Sequence, residues 1–214
     1  IDSKMGIAWT THMRFEKSLL EDQVWQDAKA SGCKYLHFGY ESGNERVLKL
    51  MDKATTTEIM TKHLKYTAEA GIWNHCMGFF GFPGETREEA WSSVEFLEQN
   101  KDYVHSLGFG TFDLGRHNPV AKHPEKFGVT AYKNPEWDLA LDYYFTVKQG
   151  LSIEEAERVF EEFERNHNPG WDLRLFIREY IFLYIAQFGL QKLPDLQFRS
   201  ARVATVPPSL AGKM

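Results

Sequence analysis

The feature that most constrains this chain is a repeated order of apolar runs and helix-start signals. "ASGCKYLHFGYES" and, roughly 40 residues later, "EAGIWNHCMGFFGFPGET" each place a helix-ending glycine before an aromatic and branched run. A polar turn then opens the next helix. The expected strands are 6–15, 34–40, 72–82 and, in weaker form, 104–114, with Gly32 and Gly71 as helix terminators. Ser or Thr followed three residues later by Glu predicts capping boxes at Ser18/Glu21, Ser42/Glu45, Thr55/Glu58, Thr86/Glu89 and Ser152/Glu155. Strands alternating with helices must pair in parallel through crossovers. That leaves a doubly wound sheet or a barrel, and an α/β barrel is the favoured reading. In either architecture ligands bind at the carboxyl ends of the strands, so loops 41–44, 82–86 and 113–118 are expected to converge.

The pattern changes near Lys133. Residues 141–148 read as a short strand or helix, and Ser152 opens a charged amphipathic helix to about Asn166. Asp172 starts a more apolar helix, with Leu173, Phe176, Ile177, Tyr180, Ile181 and Tyr184 on one face. Residues 198–214, with Pro207-Pro208, read as an extended or disordered tail. The expected organisation is therefore a partial barrel over 1–132, a helical region over 133–195 and a tail over 196–214. A chain of 214 residues with 43% hydrophobic residues supports a sizeable core. Its net charge of -5 argues against a nucleic-acid footprint. Charges at Arg174, Arg178 and Glu179 break the longest apolar stretch, which argues against a membrane span. The two cysteines, Cys33 and Cys76, lie far apart in strand-like segments and read as reduced, buried thiols of a cytoplasmic protein.

Several residues carry possible chemistry. Glu41 and Glu85 end successive strands, where they suit an acid and base pair; equally, a carboxylate there is stabilised by the following helix N-terminus. Gly81-Phe82-Pro83-Gly84-Glu85 fixes a tight turn that lets a ligand approach backbone atoms, yet it matches neither phosphate-loop pattern. His105, His117 and His123 with Asp113 fit no familiar metal spacing, so no metal site is expected from them. Arg14 and Glu16, at the end of the first expected strand, face the same mouth or form a surface ion pair.

Taken together, "GCKYLHFGYESGNERVLKLMDKATT" and "AGIWNHCMGFFGFPGETREEA" resemble the second half of the radical S-adenosylmethionine (radical SAM) barrel, particularly in cobalamin-binding members. The flanking "TTHMRFEKSLLEDQVWQDAKASGC" and "FDLGRHNPVAKHPEKFGV" extend the resemblance over about residues 5 to 130. It implies a partial TIM-type barrel from the family's third strand onward, with a helical appendage. In that family a cysteine-ligated 4Fe-4S cluster cleaves S-adenosylmethionine reductively, and cobalamin, where present, delivers a methyl group. By position, Glu41, Ser42 and Asn44 would contact the nucleoside or methionine part of S-adenosylmethionine. Gly81, Phe82, Pro83 and Gly84 would shape the adenine side, and Arg14 would meet a carboxylate. Asp113, Arg116 and His117 would face a small-molecule or peptide substrate.

The resemblance also implies a departure. The family's Cys-x-x-x-Cys-x-x-Cys loop has no counterpart here, and Cys33 and Cys76 cannot replace it. Opening on Ile1-Asp2-Ser3, the chain reads as a fragment or processed chain, the C-terminal part of a cobalamin-dependent methylase or related enzyme. The cluster and cobalamin would then be held by absent N-terminal segments, or a partner chain would cover the open barrel edge. Such an edge predicts self-association or poor solubility of the isolated chain. The alternatives are a cluster-less accessory or scaffold half-barrel, and an ordinary barrel lyase or hydrolase using Glu41 and Glu85.

Overall fold

The computed structural model describes residues 6–132, 141–166 and 178–189. Four strands, β1 (Trp9–Met13), β2 (Cys33–Glu41), β3 (Trp73–Phe80) and β4 (Ser106–Thr111), form one sheet in sequence order. Every neighbouring pair is parallel. The crossovers carry α1 (Asp22–Ala30), then α2 (Glu45–Leu50) with α3 (Thr57–Glu69), then α4 (Arg87–Gln99). Strand order equal to chain order is what a barrel requires, and four strands make part of one. Gly32 and Gly71 end α1 and α3 at φ +104 and +75. A Cβ on Gly32 would lie 1.9 Å from the Ile7 carbonyl oxygen, so only glycine permits this approach.

The two faces of the sheet differ. Leu36, Phe38, Tyr40 and Cys76 point outward into a core with Trp25 of α1, Met60 and Leu64 of α3, and Phe96 and Leu97 of α4. Tyr35, His37 and Gly39 alternate with them on β2 and so point to the opposite, concave face, where register pairs His12 with His37 and His37 with His75. Burial on both faces explains why β2 and β3 read as near-continuous apolar runs.

A second sheet, absent from the expectations, is antiparallel in order β5 (Leu114–Gly115), β7 (Asp142–Val147), β6 (Val129–Tyr132). It joins residues on both sides of the expected boundary at 132. The segment between β5 and β6 includes α5 (Pro119–Lys122). Leu114, Val129 and Phe145 of this sheet share a core with Phe82, Phe112 and Val47, which sit at the carboxyl end of the parallel sheet. The sheet therefore roofs that end. α6 (Ile153–Asn166) packs against β3 and β4, with Val159 and Phe163 on Phe80. α7 (Arg178–Phe188) packs against β2. The expected helix start at Asp172 and the tail lie outside the described residues. No helix among the described residues is long and apolar enough to cross a membrane.

Candidate functional site

β2 ends in an unusual backbone. Its register with β3 slips between Gly39 and Glu41, and Glu41 adopts φ +60, in the left-handed region. The bulge aims the Glu41 carboxylate along the concave face, where its Oε1 accepts a hydrogen bond from Lys53 Nζ at 2.9 Å. A Cβ added at Gly39 would lie 2.9 Å from that same oxygen, so glycine there makes room for the carboxylate. Asp52, just before Lys53, also has a left-handed φ of +55. Glu41 and Asp52 are the two non-glycine residues with positive φ among those described; one is a member of this partly buried ion pair and the other directly precedes its lysine. Backbone strain of this kind persists only where the surroundings enforce it. Lys53 was missed at the sequence level: it lies twelve residues beyond Glu41, past a helix, and no local pattern links them.

Ser42 and Asn44 turn away from the mouth toward α4. Ser42 is fully buried, with its Oγ 3.0 Å from Ser93 Oγ, and Ser93 Oγ also accepts from the Gly43 N–H at 2.9 Å. Gly43 packs so closely that a Cβ would lie 2.9 Å from the Ser93 Cα. Asn44 Oδ1 caps α2 by accepting from the N–H groups of Arg46 and Val47, and its Nδ2 donates to Ser92 Oγ at 3.2 Å. The expected Ser42/Glu45 capping box does not form. Asn44 is the residue adjacent to the helix, and Glu45 instead accepts from the N–H and hydroxyl of Thr57, each at 2.8 Å.

The turn after β3 is built differently. Gly81 and Gly84 have φ +85 and +89, and the Gly81 N–H donates to Glu85 Oε2 at 2.6 Å, closing the turn from within. Arg46 Nη2 donates to the Gly84 carbonyl at 2.6 Å while its guanidinium also grips Glu89. Phe82 and Pro83 are buried, and Phe82 makes edge contacts with Phe112 at 5.2 Å and Phe127 at 5.9 Å, in the roof. What this turn offers to the mouth is backbone at Gly84, where an added Cβ would meet only Leu50, at 3.6 Å.

Burial pushes the Glu85 carboxyl up to about 7, and neighbouring Glu89 adds to the shift. With no exposed surface, Glu85 cannot meet a substrate as the partner of Glu41. The acid and base pair is thereby removed as a reading of these residues.

Arg14 is exposed, 4.0 Å from Glu16, in the arrangement of a surface pair. Asp113, Arg116 and His117 follow β4 at the roof; Asp113 and His117 are exposed. Asp113 is shifted upward by partial burial and by Asp142. His105 stacks on Trp73 at 4.9 Å, its Nδ1 accepts from the Asn74 N–H, and burial pushes it down to about 4. His12, His37 and His75 form a cross-strand row on the concave face, with His12 stacked on His37 at 4.5 Å and His75 Nδ1 2.8 Å from Ser106 Oγ. Among the described residues no group of three or more His, Cys, Asp or Glu side chains is placed to hold a metal ion.

Residues 4–97 match the model of the radical SAM superfamily, covering β1 to β3 and most of α4. That segment is similar to the radical SAM superfamily. An uncharacterized methyltransferase of Pyrococcus horikoshii is 31% identical over 97 residues, which is 44% of this chain and 20% of that protein. The cytidylyl-2-hydroxyethylphosphonate methyltransferase of Streptomyces wedmorensis is 27% identical over 181 residues, 79% of this chain and 33% of that protein. The chain thus spans a fifth to a third of the length of these relatives. Coproporphyrinogen III oxidase of Escherichia coli, described as a radical SAM enzyme, shares the fold with a TM-score of 0.53 at 15% identity, over 74% of this chain and 31% of that one.

Proposed function

We propose that this chain is the S-adenosylmethionine-holding, C-terminal part of a radical SAM methylase, with cobalamin dependence as its finer form. The observation that carries the proposal is the Glu41–Lys53 pair, held on the concave face by two left-handed residues beside the glycine turn of β3. A partly buried carboxylate and ammonium side by side complement the amino and carboxylate groups of a zwitterionic amino acid. S-adenosylmethionine has such an end, joined to an adenosine. Glu41 and Lys53 would hold that end, and the backbone of Gly81 to Gly84 would lie against the nucleoside. Ser42, Asn44, Phe82 and Pro83 would act by keeping those two turns in place.

The residues present do not fit an iron-sulfur cluster. Cys33 and Cys76 are fully buried. Burial raises the Cys33 thiol to about 11 and pushes the Cys76 thiol up as well, away from the thiolate that a cluster needs. No step is therefore routed through a cluster on this chain. S-adenosylmethionine supplies the radical or methyl chemistry; the chain binds and orients it. Cobalamin rests on the sequence resemblance. Among the described residues β1 has a sheet neighbour on one side only, consistent with further barrel strands supplied by N-terminal segments or a partner chain.

The test uses the full-length natural protein that carries this segment, reconstituted without oxygen with iron, sulfide, reductant and S-adenosylmethionine. Formation of 5′-deoxyadenosine or methylated product that disappears on iron removal is the expected result. Unchanged turnover in air after iron removal would overturn the proposal.

A further inference from the structure

Glu85 is the one carboxyl among the described residues with no exposed surface, and it sits inside the turn that ends β3. Its Oε2 is tied to the Gly81 N–H at 2.6 Å, four residues back, while its Oε1 is enclosed without a hydrogen-bond partner. Its backbone links the same turn to the C-terminal segment, because the Glu85 carbonyl accepts from the Leu151 N–H at 2.8 Å. Gly150 lies so close that a Cβ there would come within 2.6 Å of that carbonyl oxygen, and a Cβ on Gly81 would come within 2.5 Å of the Ala156 Cβ. The turn, the start of α6 and Glu85 are one packed unit.

We propose that Glu85 is a proton-linked clasp: as a neutral acid it holds the Gly81–Gly84 turn closed, and ionisation loosens that turn together with the Gly150–Leu151 segment docked on it. An ionised Glu85 would enclose a charge with one oxygen unsolvated, a state that opening the turn relieves by admitting water. The titratable and charged groups acting on it are Glu89 of α4, Arg46 of α2 and the Tyr40 hydroxyl of β2. Glu89 and Arg46 are paired with each other and act on Glu85 in opposite directions, Glu89 disfavouring and Arg46 favouring its ionised form. Gly150, Leu151 and Ala156, which meet the turn from the other side, carry no charge. The upward shift of the carboxyl agrees with this geometry. Glu85 is accordingly a positioning residue, and the inference concerns the turn itself, whatever ligand lies against it.

Amide hydrogen exchange on the full-length natural protein from pH 5 to pH 8, corrected for intrinsic rates, reads the clasp at Gly81 and Leu151. In the wild type, protection of both amides should fall about tenfold per pH unit up to pH 7 and level off above it. Glu85→Gln, whose amide oxygen still accepts from Gly81, should keep the acid-side protection at every pH. Glu85→Ala should leave both amides unprotected throughout. Flat protection in the wild type, or the wild-type slope persisting in Glu85→Gln, would overturn the proposal. Should Glu85→Gln fail to fold, carboxyl carbon NMR of the wild type decides: a Glu85 midpoint near 7 supports the clasp, and one near the ordinary 4.5 overturns it.

Discussion

The turns after β2 and β3 occupy equivalent places, yet they are held by opposite means. The Glu41–Asn44 turn is fastened from outside, by Ser92 and Ser93 of α4, and this frees the Glu41 side chain to project with Lys53 onto the concave face. The Gly81–Glu85 turn is fastened from inside by its own glutamate, and this leaves backbone, not side chain, at the mouth. One turn presents charge and the other presents a surface. A carboxylate at the end of a barrel strand is therefore not a uniform signal: Glu41 reaches the site, and Glu85 builds it.

That contrast can be strained first at the glycines. Gly81→Ala combines a left-handed φ with an overlap against Ala156, whereas Gly84→Ala has the φ alone. Denaturant unfolding should show a loss of about 3–4 kcal/mol for the former and about 1 kcal/mol for the latter. Adding Ala156→Gly should recover part of the first loss and none of the second, and additive behaviour would break the assigned contact.

Thermal melts against pH give the next effect. Glu85 binds its proton more tightly in the fold than in the unfolded chain, so its stabilisation is complete below 4.5 and is lost as pH rises through about 7. His105 is shifted the other way, so its contribution is complete above 6.5 and is lost as pH falls toward about 4. Between those limits the slopes oppose. Glu85→Gln should leave a protein that loses roughly 2–3 kcal/mol on acidification from pH 6.5 to 4.5, and His105→Gln should leave one that gains a similar amount. Identical pH profiles in the two variants would contradict both assignments.

Ser93→Ala removes the acceptor of the Gly43 N–H and the partner of Ser42, and should lower stability by about 1–2 kcal/mol in denaturant unfolding. Lys53→Met should cost least, about 1 kcal/mol, because both partners of its ion pair keep contact with solvent.

Much of the fold was legible in the sequence because parallel strands buried on both faces give long apolar runs, and Gly32 and Gly71 mark the helix ends. The capping boxes were legible where the Ser or Thr is itself the residue that immediately precedes the helix. Thr86/Glu89 and Ser152/Glu155 form as read. Thr55/Glu58 does not, since Thr56 caps α3 and Glu58 pairs with Lys62. Ser18/Glu21 falls on a 3-10 turn, where no side-chain cap forms. The antiparallel sheet was missed because β5 is two residues long and β6 and β7 pair across the change in pattern near Lys133. Within the site, residue types near Glu41 and Gly81 were readable, but side-chain direction was not. Ser42 and Lys53 exchange expected importance because contacts with Ser93 and Glu41 span 51 and 12 residues.

The central claim is that charge at the mouth comes from Glu41 and Lys53, while Ser42 only holds their turn. Equilibrium binding of S-adenosylmethionine to the full-length natural protein, measured beside the melting temperature for Lys53→Met and Ser42→Ala, tests it directly. The account predicts at least tenfold weaker binding with an unchanged melting temperature for Lys53→Met, and a lowered melting temperature with unchanged affinity for Ser42→Ala. Unchanged affinity in Lys53→Met with a tenfold loss in Ser42→Ala would contradict it.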